Sequence, residues 1–150
     1  MRRSDVLLFA YGSSMAADEM AAFAPGARFA GVARLPGFRL ELRRRSLRWG
    51  GGAADIVESD GDEVWGALYE LPDLDRLDAK EGAGFAYRRR EVRVEVEGEP
   101  RTAMAYEVID KEPDEVAPTP EYAALLLRAA RERGLPRAWR RELELRLRIA

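Results

Sequence analysis

The chain has 150 residues, of which 47% are hydrophobic and 35% are charged, and its formal net charge is −2. These values suit a single globular domain over residues 1–150 and argue against a general nucleic-acid-binding protein, which would carry a clear excess of basic residues. The chain contains neither cysteine nor histidine, which excludes Ser-His-Asp triads, thiol nucleophiles and thiolate zinc sites. A general base must therefore be Asp, Glu, Lys or Tyr, and no carboxylate spacing indicates a metal site.

No apolar run in the sequence has the length that a transmembrane helix needs. The apolar run at residues 6–10 is also too short for the core of a signal peptide. We therefore expect a cytoplasmic protein without a membrane partner.

The first element of the chain is an apolar run of strand length, residues 6–10, which ends at Tyr11 and Gly12 and continues through Ser13 and Ser14 into a helical pattern. A strand that turns through glycine into a helix presents several free backbone N–H groups at one point. Those donors suit an anion or a developing oxyanion. The alternative is a strand, a turn and a serine N-cap without a ligand.

The segment that follows predicts two strands, residues 27–34 and 38–42, which are separated by Leu35-Pro36-Gly37. The basic run at 43–45 is interpreted as a solvated loop. Three consecutive glycines at 50–52 permit close backbone approaches that a Cβ atom would block. They indicate either a flexible hairpin loop or the wall of a pocket, and the sequence leaves both interpretations open.

The central part of the chain predicts a turn at 59–62 and a strand at 63–71. A short helix is expected to begin near Pro72 and to end at Gly82, a residue type typical of helix C-termini. Two further strands follow at about 91–97 and 101–109. The α+β pattern indicates a mainly antiparallel sheet or a small barrel with helices at both ends of the chain.

The last part of the chain predicts two helices. Thr119 can cap a helix from Pro120 to Arg133, which ends at Gly134. An amphipathic, Arg-rich segment begins at Leu135.

Glu81 is the carboxylate with the most suggestive position, because it ends the short helix just before an irregular, glycine-containing stretch. The negative end of a helix dipole disfavours a nearby negative charge, so a carboxyl group there is suited to exchanging a proton near neutral pH. The alternative is an ordinary surface glutamate in a terminal helical turn.

Several short motifs, in this order along the chain, resemble the gamma-glutamylcyclotransferase family. They are Phe9-Ala10-Tyr11-Gly12-Ser13, Val32-Ala33-Arg34-Leu35, Trp49-Gly50-Gly51-Gly52-Ala53, Gly61-Asp62-Glu63-Val64-Trp65-Gly66 and Leu77-Asp78-Ala79-Lys80-Glu81-Gly82. The closing segments Pro118-Thr119-Pro120-Glu121-Tyr122 and Gly134-Leu135-Pro136 are similar to the helices that end the family's domain. The resemblance extends from about residue 8 to about residue 136.

The resemblance implies a small, mainly antiparallel β-barrel with flanking helices. It also implies an enzyme that converts γ-glutamyl amino acids or γ-glutamyl amines to 5-oxoproline and the free amine, without a cofactor. Glu81 matches the family's catalytic acid/base, and Tyr11, Gly12, Ser13 and Ser14 match its substrate-binding loop. The family usually has Asn where this chain has Ser14, a difference expected to affect substrate specificity more than chemistry.

Three other interpretations stay open at this point. The chain could be a non-catalytic binding module that retains the pocket, or a cyclotransferase that acts on a γ-glutamylated biosynthetic intermediate. The Arg-rich last segment could mark an interaction domain. The expected partner is a small γ-glutamyl molecule, and homodimerisation is left open.

Overall fold

The fold is a closed barrel of five strands with helices around it. The computed structural model describes residues 5–82 and 84–148. The elements in chain order are β1 (Val6–Ala10), a 3₁₀ turn (Ser13–Met15), α1 (Ala17–Phe23), β2 (Arg28–Ser46), β3 (Gly51–Leu71), α2 (Asp75–Glu81), β4 (Tyr87–Val96), β5 (Glu99–Val108), α3 (Pro120–Glu132) and α4 (Arg137–Arg146).

The strands follow the order β1-β3-β2-β4-β5, and pairing between β5 and β1 closes the barrel. The closing pair is parallel and registers Leu8 with Met104, whereas the other four pairs are antiparallel. The predicted α+β barrel, mainly antiparallel with flanking helices, is therefore confirmed. The predicted single domain covers residues 1–150, and its positions 1–4, 83, 149 and 150 lie outside the described residues.

The two central strands are longer than the sequence predicts. β2 continues through Pro36 and Gly37, so the predicted interruption there is wrong, and residues 43–45 belong to this strand rather than to a solvated loop. β3 likewise continues through the predicted turn, because Pro36 pairs with Glu63 and Phe38 pairs with Glu58. Both strands keep the same partner on either side of the irregularity, so residues 59–62 form a bulge and do not end the strand.

The glycines at the start of β3 allow a close backbone approach. A Cβ atom built on Gly52 would lie 1.9 Å from the carbonyl oxygen of Val116, and the Gly52 N–H donates a 2.8 Å hydrogen bond to Ala117. Both Gly51 and Gly52 are buried, so this stretch is not a flexible loop. The backbone that approaches Gly51 and Gly52 closely belongs to the protein's own segment at 116–119.

The helix ends largely follow the predicted signals. Gly82 has left-handed backbone angles (φ 62°, ψ 49°) directly after α2. The Thr119 hydroxyl accepts a 3.3 Å hydrogen bond from the Tyr122 N–H and caps α3. The predicted start of α2 near Pro72 is too early, since the helix begins at Asp75.

The last helix buries one side only. Trp139 and Leu143 of α4 lie in the core, while Glu142 and Glu144 pair with Arg146 and Arg148 on its polar side. None of the helices in the described part of the chain combines the length and apolar character that crossing a bilayer requires.

Candidate active site

A cavity of about 270 Å³ lies where the chain leaves β1 and where α2 ends. Its walls include Ala53 and Ala54 of β3, the first residue of β4 and the end of β5. All five residues predicted as site residues line it, namely Tyr11, Gly12, Ser13, Ser14 and Glu81. The structure therefore brings together two segments that are about 70 positions apart in the sequence.

The loop after β1 is shaped by backbone hydrogen bonds. The N–H of Met15 donates to the carbonyl of Gly12 at 3.0 Å, and the N–H of Ala16 donates to the carbonyl of Ser13 at 3.1 Å. Neither the 3₁₀ turn nor α1 has a side-chain cap, so the serine N-cap interpretation is wrong. The first N–H groups of such a turn have no carbonyl partner within the turn itself.

Lys80 connects this loop to Glu81, and the sequence reasoning missed it. Its Nζ lies 2.9 Å from Ser14 Oγ, 3.3 Å from Ser13 Oγ and 3.2 Å from Glu81 Oε1. The Lys80 side chain is only 6% exposed and that of Glu81 is 18% exposed. The ammonium group therefore holds the serine loop and the carboxylate in one hydrogen-bonded cluster.

A weak signal for Lys80 is present in the composition. Of the 25 basic residues, only Lys80 and Lys111 are lysines and the others are arginines. A lysine is therefore unusual in this chain. A lysine places a compact ammonium group where the planar guanidinium of arginine would need more room. Adjacent residues on a helix do not normally face each other, so the sequence pattern gives no indication of a contact between the Lys80 and Glu81 side chains.

The other lysine also serves a buried carboxylate. Lys111 Nζ lies 2.7 Å from Asp55 Oδ2, and the Val108 N–H donates to Asp55 Oδ1 at 2.9 Å. Burial raises the pKa of Asp55, although the bonds from Lys111 and Val108 oppose the rise. Both oxygens of Asp55 are occupied, so this carboxylate joins β3 to the end of β5 rather than serving as a free base.

Four tyrosines line the cavity: Tyr11, Tyr87, Tyr106 and Tyr122. Burial raises the pKa of all four phenols above the usual value, and nearby negative charges add to the rise. Each phenol therefore stays protonated near neutral pH. A protonated phenol is not a general base, and Glu81 is the carboxylate among the described residues that line the cavity.

The tyrosine hydroxyls fix the walls of the cavity. The Tyr11 hydroxyl donates to the carbonyl of Tyr106, which joins the end of β1 to β5. The Tyr122 hydroxyl accepts a 2.9 Å hydrogen bond from the N–H of Ala54, and the Tyr87 hydroxyl donates to the Ala54 carbonyl at 3.4 Å. These contacts between distant segments give the cavity walls a defined geometry.

Comparison with known proteins agrees with this architecture. The family model described as "Gamma-glutamyl cyclotransferase, AIG2-like" matches residues 8–124. The gamma-glutamylcyclotransferase of Bos taurus is 37% identical over 145 residues, which cover 91% of this chain and 76% of the relative. The Homo sapiens protein of the same name is 35% identical over 146 residues, which cover 92% of this chain and 77% of the relative.

A solved structure of a gamma-glutamyl cyclotransferase superposes with a TM-score of 0.88 at 34% identity, and the match covers 93% of this chain and 86% of that one. The sequence matches and the structural match thus extend over most of the barrel and include both segments of the cavity. The chain therefore belongs to the gamma-glutamyl cyclotransferase, AIG2-like family.

Proposed function

We propose that this protein is a gamma-glutamylcyclotransferase that releases 5-oxoproline and a free amine from a γ-glutamyl amino acid or γ-glutamyl amine. Membership of the family and the names of its relatives support this activity. The observation that carries the proposal is the cluster in which Glu81 meets the loop of Ser13 and Ser14 inside one cavity, through Lys80.

The reaction needs one proton shuttle. The α-amine of the γ-glutamyl group must lose a proton as its nitrogen attacks the γ-carbonyl carbon, and the Glu81 carboxylate accepts that proton. The tetrahedral intermediate then collapses as the bond from the γ-carbon to the amide nitrogen breaks. Glu81 returns the proton to the leaving nitrogen, so the enzyme ends the cycle unchanged.

The reaction also needs stabilisation of the negative charge that develops on the γ-carbonyl oxygen, and we assign this role to the loop of Gly12, Ser13 and Ser14. Backbone N–H groups of the loop are suited to stabilise it, and each such donor is typically worth about 3 kcal/mol in the transition state. The Lys80 ammonium adds a positive charge at the same place and holds both serine hydroxyls. Lys80 is thus proposed as a positioning residue for the loop and for Glu81.

A small cavity suits a cyclisation. The attacking and attacked atoms belong to the same molecule, so a site that holds the folded conformer supplies much of the acceleration. A volume of about 270 Å³ is near the lower end for ligand sites, which suits a small substrate.

The direct test is to incubate the purified protein with a panel of γ-glutamyl amino acids and γ-glutamyl amines and to detect 5-oxoproline by mass spectrometry. We expect time-dependent release from at least one of them. If the protein binds such compounds and converts none, the binding-module interpretation replaces this proposal. A panel that includes larger γ-glutamylated amines also tests the biosynthetic-intermediate alternative.

Exhaustive chelation should leave the activity intact. The sequence contains neither histidine nor cysteine, and the proposed chemistry uses only a carboxylate, an ammonium group and backbone donors. We expect the same rate of 5-oxoproline release before and after dialysis against EDTA, without an added nucleotide or flavin. Loss of activity that a divalent ion restores would refute this prediction.

Ser14→Asn should change the ranking of substrates. The Ser14 hydroxyl accepts from Lys80, and an Asn carbonyl can do the same while its amide group offers a further donor toward the substrate. One exchanged hydrogen bond is worth about 0.5–1.5 kcal/mol, or up to about 3 with a charged group, so kcat/KM should change about two- to a hundredfold. The measurement compares kcat/KM for γ-glutamyl-alanine, bulkier γ-glutamyl amino acids and γ-glutamyl amines.

Ser59→Asn is the matched control for that prediction, because Ser59 lies in the bulge of β3 outside the cavity. It should leave the ranking unchanged. An equal change for all substrates in Ser14→Asn would show that Ser14 does not distinguish them.

Three further predictions from the sequence also stand as proposals. They are a single domain over residues 1–150, a cytoplasmic location and no nucleic-acid partner; homodimerisation stays open.

A further inference from the structure

Arg44 is one of the residues that line the active-site cavity. The side chain is half-buried, and within residues 5–82 and 84–148 its guanidinium group forms neither a hydrogen bond nor an ion pair. The other half-buried arginines of that region all have partners, namely Arg34, Arg39, Arg43, Arg90, Arg128, Arg133, Arg140 and Arg146. A partly desolvated cation without an anion is costly, so Arg44 is suited to receive an anion from a ligand.

The other charged side chains of the cavity are already paired. Lys80 pairs with Glu81, and Arg48 donates to Glu19 at 2.7 Å while its guanidinium stacks on Trp49. Arg44 is therefore the lining cation that retains its full capacity for a carboxylate, which it can bind through two parallel hydrogen bonds.

The position of Arg44 on β2 places it at the mouth of the cavity. Its register partner on β3 is Ala53, a wall residue, and Leu47, three positions further along, also lines the cavity while 94% exposed. Its positive charge also acts on the Tyr87 hydroxyl and partly opposes the rise that burial causes in the pKa of that phenol. Arg44 thus faces the cavity from its open side, whereas Lys80 lies deep.

The substrate has two unequal parts. The γ-glutamyl group is the same in every substrate and carries both reacting atoms, so it must reach Glu81 in the deep part of the cavity. The leaving part varies and must depart after the bond breaks, so it lies toward the mouth. A leaving amino acid carries a carboxylate there, and a leaving simple amine does not.

We infer that Arg44 binds the carboxylate of the leaving amino acid and so makes this enzyme select γ-glutamyl amino acids over γ-glutamyl amines. This inference rests on the proposed function and adds to it a specificity-determining residue and a choice between the two substrate classes.

The test uses two substrates that differ only by that carboxylate, γ-glutamyl-alanine and γ-glutamyl-ethylamide. In the wild type, kcat/KM should favour γ-glutamyl-alanine by about 10- to 100-fold, the range expected for one charge-assisted contact. Arg44→Gln should bring the ratio of the two kcat/KM values close to one, mainly through a higher KM for γ-glutamyl-alanine. Arg44→Lys should recover part of the preference because it restores the charge.

Arg45→Gln is the matched control, since Arg45 is the next residue on β2, is exposed and does not line the cavity. It should keep the wild-type ratio. Circular dichroism and thermal unfolding of each variant show whether the protein is folded.

The outcomes separate the inference from the proposed function. Release of 5-oxoproline from both compounds with equal kcat/KM would overturn the inference alone. A fall of equal size for both substrates in a folded Arg44→Gln protein would also overturn it, because Arg44 would then bind the part that both share. No release from either compound, or from any other member of the γ-glutamyl panel, would overturn the proposed function and this inference with it.

Discussion

Glu81→Gln should lower the rate of 5-oxoproline release by about 10²- to 10⁴-fold, the usual contribution of general acid–base catalysis. The amide of Gln has nearly the same shape as the carboxylate and its oxygen can still accept from Lys80, but it cannot take the proton of the α-amine. No histidine is present to replace it, and the four cavity tyrosines stay protonated because burial raises their pKa. The measurement is single-turnover release of 5-oxoproline from the best substrate.

Asp75→Asn is the control for Glu81→Gln. Asp75 begins the same helix, its side chain is 82% exposed, and it does not line the cavity. It should keep nearly the full rate. Binding of γ-glutamyl-alanine to Glu81→Gln, measured by calorimetry, should persist because the loop and Arg44 are unchanged. A folded Glu81→Gln protein with nearly wild-type turnover would remove Glu81 from the mechanism.

Gly52→Ala should lower the free energy of unfolding by about 3 kcal/mol, at the upper end of the usual cost of overpacking. The added Cβ would lie 1.9 Å from the Val116 carbonyl oxygen and 2.7 Å from its carbonyl carbon. These are backbone atoms, which cannot rotate away as the end of a side chain can. The strand and the 116–119 segment must therefore separate, which also weakens the hydrogen bond from Gly52 to Ala117.

Urea unfolding followed by tryptophan fluorescence measures this effect. Gly26→Ala is the matched control, because the nearest atoms to its added Cβ belong to Pro72 and begin at 3.9 Å. Its stability should stay within about 0.5 kcal/mol of the wild type, as for most surface changes. Equal stability of Gly52→Ala and Gly26→Ala would show that the close approach at 116–119 does not restrict position 52.

Local signals in the sequence determined several strands, the helix ends and the types of residue available for catalysis. Apolar alternation predicted β4 and β5, and Thr119 and Gly82 marked the ends of helices. The absence of cysteine and histidine limited the residue types that could act in catalysis. Such signals act over a few residues, so they can be recognised without the fold. The family motifs likewise predicted Tyr11–Ser14 and Glu81 as site residues, and the structure brings both segments to one cavity.

Only the tertiary structure decided which side chains serve those segments. The breaks predicted at Pro36 and at residues 59–62 were wrong as strand ends, because long-range pairing between β2 and β3 outweighs local turn preference. Lys80 faces the serines because α2 lies against the loop after β1, a contact between positions far apart in the chain. Arg44, in a run predicted as a solvated loop, lines the cavity because β2 pairs with β3 there and sets it opposite the wall residue Ala53. Such a long-range pairing has no counterpart in the local sequence.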